Sequence, residues 1–453
     1  MSNLLVGYGE VVANPPLGIG ISGYYVPRFA KGFLTDIKIT VAVIKKDEQT
    51  IALIGIDNEG VEEKLIDRFC QSIEKETGIK SENVMISASH THTGPLLYPM
   101  PDFFIADEKI IAEYAEFFEK KLIEAVKIAL GDLKPSKMGY REVQAPKNIA
   151  FIRRYKMKDG STMTCPPLDD NIDYPLGELD ERVNVVRFDR ENAEPILFVN
   201  FGLHVDCVNG EMISADWPHW MRETLKGALG GVKTIFFNGA EGDVGSTNPN
   251  AVGGDMNDTE ISFDNEMKSP GMSRFIGRAM AGAVLQVYDK VHYVNVDSVL
   301  MIKEDVKIKS NMPTKEQMPT AKLYKKLHEE GRDDEIPFKA MELTTAVAEA
   351  MRMCNLEHGP EFFDVRLTGV KLGPVAMLGI SGEPFTDIGV ELKKTEGFEM
   401  IMPCSLTNGN IGYFPTKSAY DEGGYEAKTS PFASDVAETI IKNGKNLLEK
   451  LNK

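Results

Sequence analysis

The sequence predicts one large α/β domain, in which mixed β-sheets are flanked by helices and a helical segment is inserted late in the chain. Apolar runs at 51–56 and 84–87 have the length of strands and enclose a helical pattern at 61–77. A longer amphipathic pattern covers 108–130. Strand-like runs return at 363–372, after a stretch with helical spacing. Together these observations indicate strands that alternate with helices.

The first strand, helix and strand form a unit that leads into polar residues. The apolar run 51–56 stops at Asp57, and the helical periodicity of 61–77 stops at Gly78, which can end a helix. The strand at 84–87 then runs directly into a histidine-rich segment. Because open α/β sheets bind ligands at the carboxyl ends of their strands, we expect a site there.

The long helix predicted at 108–130 ends before Gly131 and Pro135, which do not continue a helix. Its apolar positions have helical spacing and are predicted to be core rather than a cofactor groove: Ile111, Tyr114, Phe118, Leu122 and Val126. Runs at 184–188 and 195–201 are predicted to be neighbouring strands.

A second strand end carries another histidine, since the run 195–201 leads into Gly202-Leu203-His204. A further apolar strand at 234–237 is followed by the glycine-containing loop 238–246. Glycine permits positive φ and close approach of the backbone to a ligand. The length of this loop and its position after a buried strand favour a binding loop over a simple flexible turn.

Between residues 303 and 360 the composition shifts to Lys, Glu, Met and Ala with helical spacing, which predicts a helical insertion. Strands resume at 363–372 and 375–380, and a helical tail is predicted at 436–451. No linker-like composition separates these segments. We therefore predict that 1–453 is a single domain with 303–360 inserted within it.

Composition excludes several classes of protein. The formal net charge of −17 disfavours a protein that wraps nucleic acid or adheres to an anionic membrane surface. The five cysteines are odd in number and lack a Cys-x-x-Cys pair, which argues against a disulfide framework or a thiolate zinc site. We see no secretory signal and no apolar run of ~18 residues, so we expect a cytoplasmic protein without stable membrane insertion. The oligomeric state does not follow from the sequence.

The pair His90-Thr91-His92 is the most informative motif of the chain. Side chains two residues apart on a strand leave the same face, so the pair aims two imidazoles into one space. Imidazole is a favoured ligand of zinc and similar metals. The alternative is that both are polar loop residues satisfied by hydrogen bonds. The other histidines lack paired spacing and are predicted to be surface or core residues: His219, His292, His328 and His358.

Other catalytic motifs are absent or lack their context. The segment 18–23 matches G-x-G-x-x-G, but Pro15-Pro16 precede it and Pro27 follows soon after, so no strand and helix flank it. A glycine-rich wall of a pocket is the better interpretation. The sequence has no P-loop and no G-x-S-x-G nucleophile elbow.

Several motifs together resemble the neutral/alkaline non-lysosomal ceramidase family. They occur in the family's order from about residue 7 to 425. They are S-A-S-H-T-H-T-G-P around His90, F-G-L-H-V-D around His204, N-G-A-E-G-D-V-G at 238–245, G-E-P-F-T at 382–386, G-Y-F-P-T-K at 412–417 and G-Y-E at 424–426.

The resemblance implies a set of site residues. It implies one zinc ion held by four side chains: His90, His204, Glu383 and Tyr413. His92 and Tyr425 are implied to face the substrate, together with an arginine. The implied arginine is Arg153, with Arg154 as the second candidate, and Ile152 stands where the family has the asparagine that precedes it. The implied catalytic residues are thus His92, Arg153 and Tyr425. The same donors also suit iron, nickel and manganese.

The resemblance implies a ceramidase-like catalytic domain that hydrolyses an N-acyl amide with metal-activated water. Ser246 is displaced by one position from the family's serine, and the family's carboxyl-terminal immunoglobulin-like domain is missing. With the acidic charge, this favours a smaller soluble amide over ceramide in a membrane. The alternatives are a metal-dependent esterase or other hydrolase of a small soluble substrate, a zinc-containing binding protein without turnover, and a serine hydrolase using Ser246.

Overall fold

The structure is a computed structural model that describes residues 4–100, 105–166, 171–248 and 268–453. Within these residues the chain forms 22 strands and ten α-helices. The strands are β1 Leu4–Val12, β2 Gly32–Phe33, β3 Lys38–Lys46, β4 Gln49–Ile56, β5 Val84–Ala88, β6 Lys134–Gln144, β7 Phe151–Ile152, β8 Arg154–Met157, β9 Thr162–Thr164, β10 Ile172–Pro175, β11 Arg182–Arg190, β12 Ile196–Phe201, β13 Met212–Ile213, β14 Lys233–Asn238, β15 Val244–Gly245, β16 His292–Val294, β17 Val299–Lys309, β18 Phe362–Leu372, β19 Val375–Ile380, β20 Glu383–Pro384, β21 Met400–Cys404 and β22 Tyr413–Phe414. The helices are α1 Glu63–Thr77, α2 Glu108–Gly131, α3 Asp216–Ala228, α4 Pro270–Tyr288, α5 Met318–Glu329, α6 Ala340–Leu356, α7 Thr386–Lys393, α8 Lys417–Glu422, α9 Tyr425–Thr429 and α10 Val436–Asn452.

The largest sheet has nine strands of mixed direction, in the order β14, β12, β11, β6, β1, β3, β4, β5, with β16 added beside β6. Its parallel pairs are β12 with β14 and β4 with β5. A helix connects each parallel pair, α3 in the first case and α1 in the second, because parallel neighbours need a crossover. The sheet coils until β14 contacts β3, β4 and β5. Coiling therefore brings the two ends of the sheet together.

A second sheet, in the order β17, β18, β19, β21, packs against the first. Apolar side chains from both sheets share one core, in which Leu53 and Met85 of the first sheet join Met301, Val370 and Met377 of the second. These side chains are buried because alternate residues of each strand point into the space between the sheets.

Helices cover the outer faces of the two sheets. α1 and α2 pack on the first sheet, and α10 packs on the second. Gly9 of β1 lets α2 approach closely, since a Cβ atom at this position would lie 2.0 Å from the carbonyl oxygen of Ala125. The predicted α/β class, with mixed sheets flanked by helices, is confirmed.

The early elements match their predictions closely. α1 ends at Thr77, and Gly78 follows with φ 78°. At the start of α2, the Asp107 carboxylate accepts from the backbone N–H groups of Lys109 and Ile110. This N-cap satisfies donors that the helix itself leaves unpaired.

The predicted helical insertion at 303–360 is wrong at its amino-terminal end. Residues 303–309 belong to strand β17, and the rest contains the helices α5 and α6 and a short 3-10 helix at Asp333–Glu335. β17 is an edge strand whose alternate residues Val306 and Ile308 are buried, so the lysines and acidic residues between them face outward. Charged residues are common on edge strands because they oppose further pairing. This composition was misread as helical.

In the described parts of the chain, every helix is too short or too polar to cross a bilayer.

Candidate active site

Three segments that follow strands bring imidazole and carboxylate groups to one buried point. His90 follows β5, His204 follows β12, and Glu383 follows β19. Nε2 of His90 lies 3.2 Å from Oε2 of Glu383, and Nε2 of His204 lies 3.3 Å from the same oxygen. All three side chains are buried. The structure therefore places three of the four predicted metal ligands in contact.

The backbone around the two histidines is tied together. Thr91 and Val205 form a parallel bridge between their segments. The side-chain amide of Asn238, the last residue of β14, donates to the carbonyl oxygens of Ser89 and Leu203, each at 3.1 Å. Because these bonds connect residues next to each histidine, they fix the relative positions of the two rings.

Backbone carbonyls orient both rings. Nδ1 of His90 lies 2.8 Å from the carbonyl oxygen of Glu59. Nδ1 of His204 lies 2.9 Å from that of Glu241 and 3.0 Å from that of Val244. A proton on each Nδ1 leaves the Nε2 lone pair for the centre of the site, an arrangement typical of metal-binding histidines.

His90 also has an unusual backbone conformation. Its φ of 75° lies in a region that residues other than glycine rarely adopt. Its N–H donates to the carbonyl oxygen of Asn58 at 2.8 Å, which holds this conformation. Active sites are among the places where the surrounding structure holds a residue in such a conformation.

His92, the second histidine of the pair, lies beside the first. Its Nε2 is 3.2 Å from Nε2 of His90, and its Nδ1 is 3.8 Å from Oδ1 of Asp206. Asp206 is in turn held by Lys268 and by the hydroxyl of Tyr24. The nitrogens of His90, His92 and His204 lie within 4.8 Å of one another and form a group that could hold a metal. The substrate-facing role of His92 therefore stays a prediction.

Two tyrosines complete the predicted set. Strands β20 and β22 are parallel and pair Glu383 with Tyr413, which explains how these residues meet. The rings of Tyr413 and Tyr425 have centroids 5.7 Å apart. Burial raises the pKa of Tyr413 well above its usual value, and Glu383 adds to this effect while Arg153 opposes it. The predicted ligand role of Tyr413 is not tested by these contacts.

The structure distinguishes the two candidate arginines. Nη1 of Arg153 lies 3.0 Å from Nε2 of His204, and its Nε donates to Glu426 at 2.7 Å. Arg154 instead donates to Glu422 and to the carbonyl oxygen of Gly423, at 3.1 and 2.9 Å. Arg153 is thus the arginine at the histidine cluster, and its predicted catalytic role stays a prediction.

The buried charges of the cluster are strongly coupled. Burial opposes a charge on His90, but Glu383, with Glu59 and Glu241, outweighs it and raises the pKa of His90 to about 10. Burial also opposes the charge on Glu383, yet the two histidines hold its pKa well below the usual range. Burial and the Arg153 cation lower the pKa of His204 to about 4. The cluster therefore favours a positive charge at its centre.

These donors fit a divalent cation. Two Nε2 lone pairs and a buried carboxylate converge, and each ring is oriented through its other nitrogen. Imidazole and carboxylate together are typical of catalytic zinc sites. The side chains present can thus hold a metal ion.

A cavity of about 510 Å³ opens onto the cluster. Its polar lining includes Glu59, His90, His92, Glu383 and Tyr413, and further polar residues, among them Arg352, Asn355, Asn410 and Tyr425, also line it. Apolar side chains from several segments, including helix α6, contribute as well: Met100, Met351, Leu356, Phe363, Ile411 and Pro431. Gly23 also lines it, and a Cβ atom there would lie 2.8 Å from Cγ of His92. Of the segment 18–23, only Gly23 lines the cavity among the described residues, so the predicted glycine-rich wall is reduced to this one glycine.

Two acidic neighbours of the cluster, Glu59 and Glu241, are not among the residues predicted from the sequence, although the loop that carries Glu241 is. Burial raises the pKa of Glu241 to about 8. The signal was available in the sequence, since each residue lies within three positions of a strand end next to a site segment. Of the other histidines, His292 and His358 are exposed, and His328 forms a hydrogen bond with the side chain of Asp333.

Ser246 lies apart from the cavity. It is buried beside the thiol of Cys207. Among the described residues that line the cavity there is no serine. The geometry gives no support to a serine nucleophile at the histidine cluster.

No protein-family model and no curated protein matches this chain. Solved structures do match: neutral ceramidase from Pseudomonas aeruginosa has a TM-score of 0.75 at 16% identity, over 100% of this chain and 75% of that chain. A ceramidase complexed with C2 has a TM-score of 0.73 at 15% identity, over 99% of this chain and 76% of that chain. The chain therefore has the fold of these ceramidase structures, as the motif resemblance implied.

Proposed function

We propose that this chain is a metal-dependent hydrolase that cleaves an N-acyl amide bond, with a zinc ion held by His90, His204, Glu383 and Tyr413. The convergence of two imidazole nitrogens on one carboxylate oxygen, within 3.3 Å, carries the proposal. The likeness of the fold to ceramidase structures supports it.

The ligands prepare the site through their own hydrogen bonds. When bound, the ion supplies Lewis acidity and lowers the pKa of a water molecule towards ~7. Contacts from Nδ1 to backbone carbonyls keep Nε2 of His90 and His204 available as donors. The Glu383 carboxylate remains ionised, because its pKa is well below the usual range. Two imidazole nitrogens and one carboxylate thus face the ion, which would displace the proton that Glu383 stabilises on His90.

Three further residues are suited to the proton and charge transfers of amide hydrolysis. Burial, with the neighbouring His90 and His204, holds the pKa of His92 well below its usual value, so its imidazole is neutral and offers the substrate one N–H donor and one lone pair. Arg153 keeps its charge and presents Nη1 to the cluster, where it can stabilise negative charge on the carbonyl oxygen. Tyr425 stays protonated and can donate a hydrogen bond.

The cavity suggests the substrate class. Its volume of about 510 Å³ lies within the range for small ligands, about 300–1,000 Å³. Met351, Leu356 and Phe363 offer an apolar wall for an acyl group, while the cluster offers polar contacts for the amide. With the net charge of −17, these features favour a small soluble N-acyl compound.

The test combines elemental analysis with a substrate panel. We expect one equivalent of a divalent metal, turnover of short N-acyl amines that a chelator abolishes and zinc restores, and weaker turnover of ceramide in micelles. Strong preference for ceramide would refute the proposal of a small soluble substrate. Preference for esters would show that the chain is an esterase and not an amidase. E383Q should lose metal and turnover, whereas E422Q, at the Arg154 pair, should keep both. Metal binding without turnover of any amide or ester would indicate a binding protein.

A further inference from the structure

Glu241 is a buried carboxylate that the predicted ligand set does not use. It follows β14 in the loop whose backbone carbonyl holds Nδ1 of His204. Its exposed fraction is 0%. Among the residues that the structure describes, neither of its side-chain oxygens has a hydrogen-bond partner within 3.5 Å, although the hydroxyl of Ser405 lies close enough to lower its pKa.

An ionised carboxylate removed from water is costly unless it is paired, hydrogen-bonded or bound to a metal. Arg153 does not fill that role, because it is directed to Glu426, to His204 and to the carbonyl oxygen of Gly242. The positive charge that acts on Glu241 within the chain is that of protonated His90. An ion bound to His90 would take the place of that charge.

The position of Glu241 indicates what that partner is. One of its carboxylate oxygens, Nε2 or Nδ1 of His90 and a carboxylate oxygen of Glu383 lie within 4.8 Å of one another. Two carboxylates at this separation repel each other, and a cation between them removes the repulsion. The same two residues, His90 and Glu383, belong to the metal site proposed above.

We propose that Glu241 is a further ligand of that ion, which makes the donor set two imidazoles, two carboxylates and one phenol. This inference rests on the metal-dependent function proposed above. A second carboxylate adds another hard oxygen donor to the site. Carboxylate-rich sites suit manganese better than sites built from imidazole alone. The metal preference of this chain is thereby shifted towards manganese and iron.

The experiment compares E241Q with a variant that loses the same charge without losing a ligand. Glu59 serves as that control, because it is also a buried carboxylate beside His90. It lies outside the possible metal-binding group that Glu241 forms with His90 and Glu383. Wild type, E241Q and E59Q are titrated with Co²⁺ while the visible absorption is recorded. Affinities for Zn²⁺ and Mn²⁺ are measured by competition with a chelator.

We expect E241Q to lower Mn²⁺ affinity by at least about tenfold, more than it lowers Zn²⁺ affinity. Its Co²⁺ bands should be more intense than those of wild type, since intensity rises as the number of ligands falls. E59Q should leave the bands unchanged. Equal affinity losses in E241Q and E59Q, with bands like those of wild type, would overturn the inference. Absence of ion binding by wild type would instead overturn the proposed function.

Folding of the variants is followed by thermal unfolding without added metal. We expect E241Q to unfold close to the wild-type temperature, because burial keeps Glu241 protonated at neutral pH without metal and glutamine has nearly the same shape. Should E241Q fail to fold, E241D replaces it, since it keeps the charge but shortens the side chain. E241D is expected to bind Mn²⁺ more weakly and to alter the Co²⁺ bands, and wild-type behaviour in both would reject the ligand role.

Discussion

Nη1 of Arg153 lies 3.0 Å from Nε2 of His204, the nitrogen that the proposed metal site requires. Nδ1 of His204 is directed to two backbone carbonyls, so Nε2 is the acceptor and Arg153 the donor. An ion on Nε2 and a hydrogen bond from Arg153 exclude each other. Metal binding therefore frees one N–H of Arg153 to face the substrate.

The first prediction concerns this arginine. Replacing Arg153 by Met removes a cation that competes for Nε2 of His204, so zinc affinity should be equal to that of wild type or higher. Turnover should fall by about 10²- to 10³-fold, as for loss of a donor to a developing oxyanion. Zinc competition titrations and kcat/KM on a short N-acyl amine check both.

Arg154 provides the matched control. R154M should lower stability, because Arg154 is buried and holds Glu422 and the carbonyl oxygen of Gly423. Its kcat/KM should stay within about tenfold of wild type, well above that of R153M. The opposite ranking of the two variants would contradict the assignment of Arg153 to the site.

The two tyrosines should separate metal binding from turnover. Y413F removes a predicted ligand and should lower zinc affinity by at least about tenfold. Y425F leaves the ligands intact and should lower kcat by about 10²-fold with little change in bound zinc. Metal content and kcat of both variants are the measurements. Loss of zinc from Y425F but not from Y413F would indicate that Tyr425 is the ligand and Tyr413 the substrate-facing residue.

Asp243 should make stability depend on pH. Burial raises its pKa to about 6 in the folded chain, although Thr386 donates two hydrogen bonds to it. The unfolded value is about 3.9, so the folded state binds the proton more tightly, and its extra stability is present at pH 4 and lost as the pH rises to about 6.

The size of this effect follows from the pKa difference. Two pKa units correspond to about 3 kcal/mol of unfolding free energy. D243N keeps an acceptor for Thr386 and should lack this part of the pH dependence. Urea unfolding of both proteins at pH 4 and pH 6.5, with a chelator present, measures it, and parallel pH profiles would refute the prediction.

Asp57 shows that a carboxylate at a strand end can be purely structural. It follows β4 and accepts two hydrogen bonds from Arg222, at 2.9 and 2.6 Å, with both side chains buried. D57N should lower the unfolding free energy by about 3–5 kcal/mol, because it leaves a buried charge without its partner. The double variant D57L/R222M should cost less. Denaturant unfolding of both variants measures these losses. An equal or greater loss of unfolding free energy in the double variant would contradict the explanation by an unpaired charge on Arg222.

The last prediction concerns the serine alternative. Ser246 is buried beside Cys207 and is not among the cavity residues. S246A should therefore keep kcat/KM within about tenfold of wild type, whereas loss of a catalytic serine costs far more. A loss of several orders of magnitude, with metal still bound, would favour a nucleophilic serine.

The sequence alone determined which strands lead into the site residues and which types of metal ligand those residues offer. Apolar periodicity placed β5 and β12 and hence the histidines that follow them, because alternation and helical spacing depend on neighbouring residues alone. The types of the donors, two imidazoles and a carboxylate, were also evident from their motifs.

The tertiary structure decided which of these groups meet. Arg153 and Arg154 are adjacent in the chain, and only the folded positions of their neighbours direct one of them to His204. Coiling of the large sheet brings β14 against β5, which places Glu241 beside His90. Contacts of this kind depend on strand register and packing between residues far apart in the chain, and local periodicity carries no information about them.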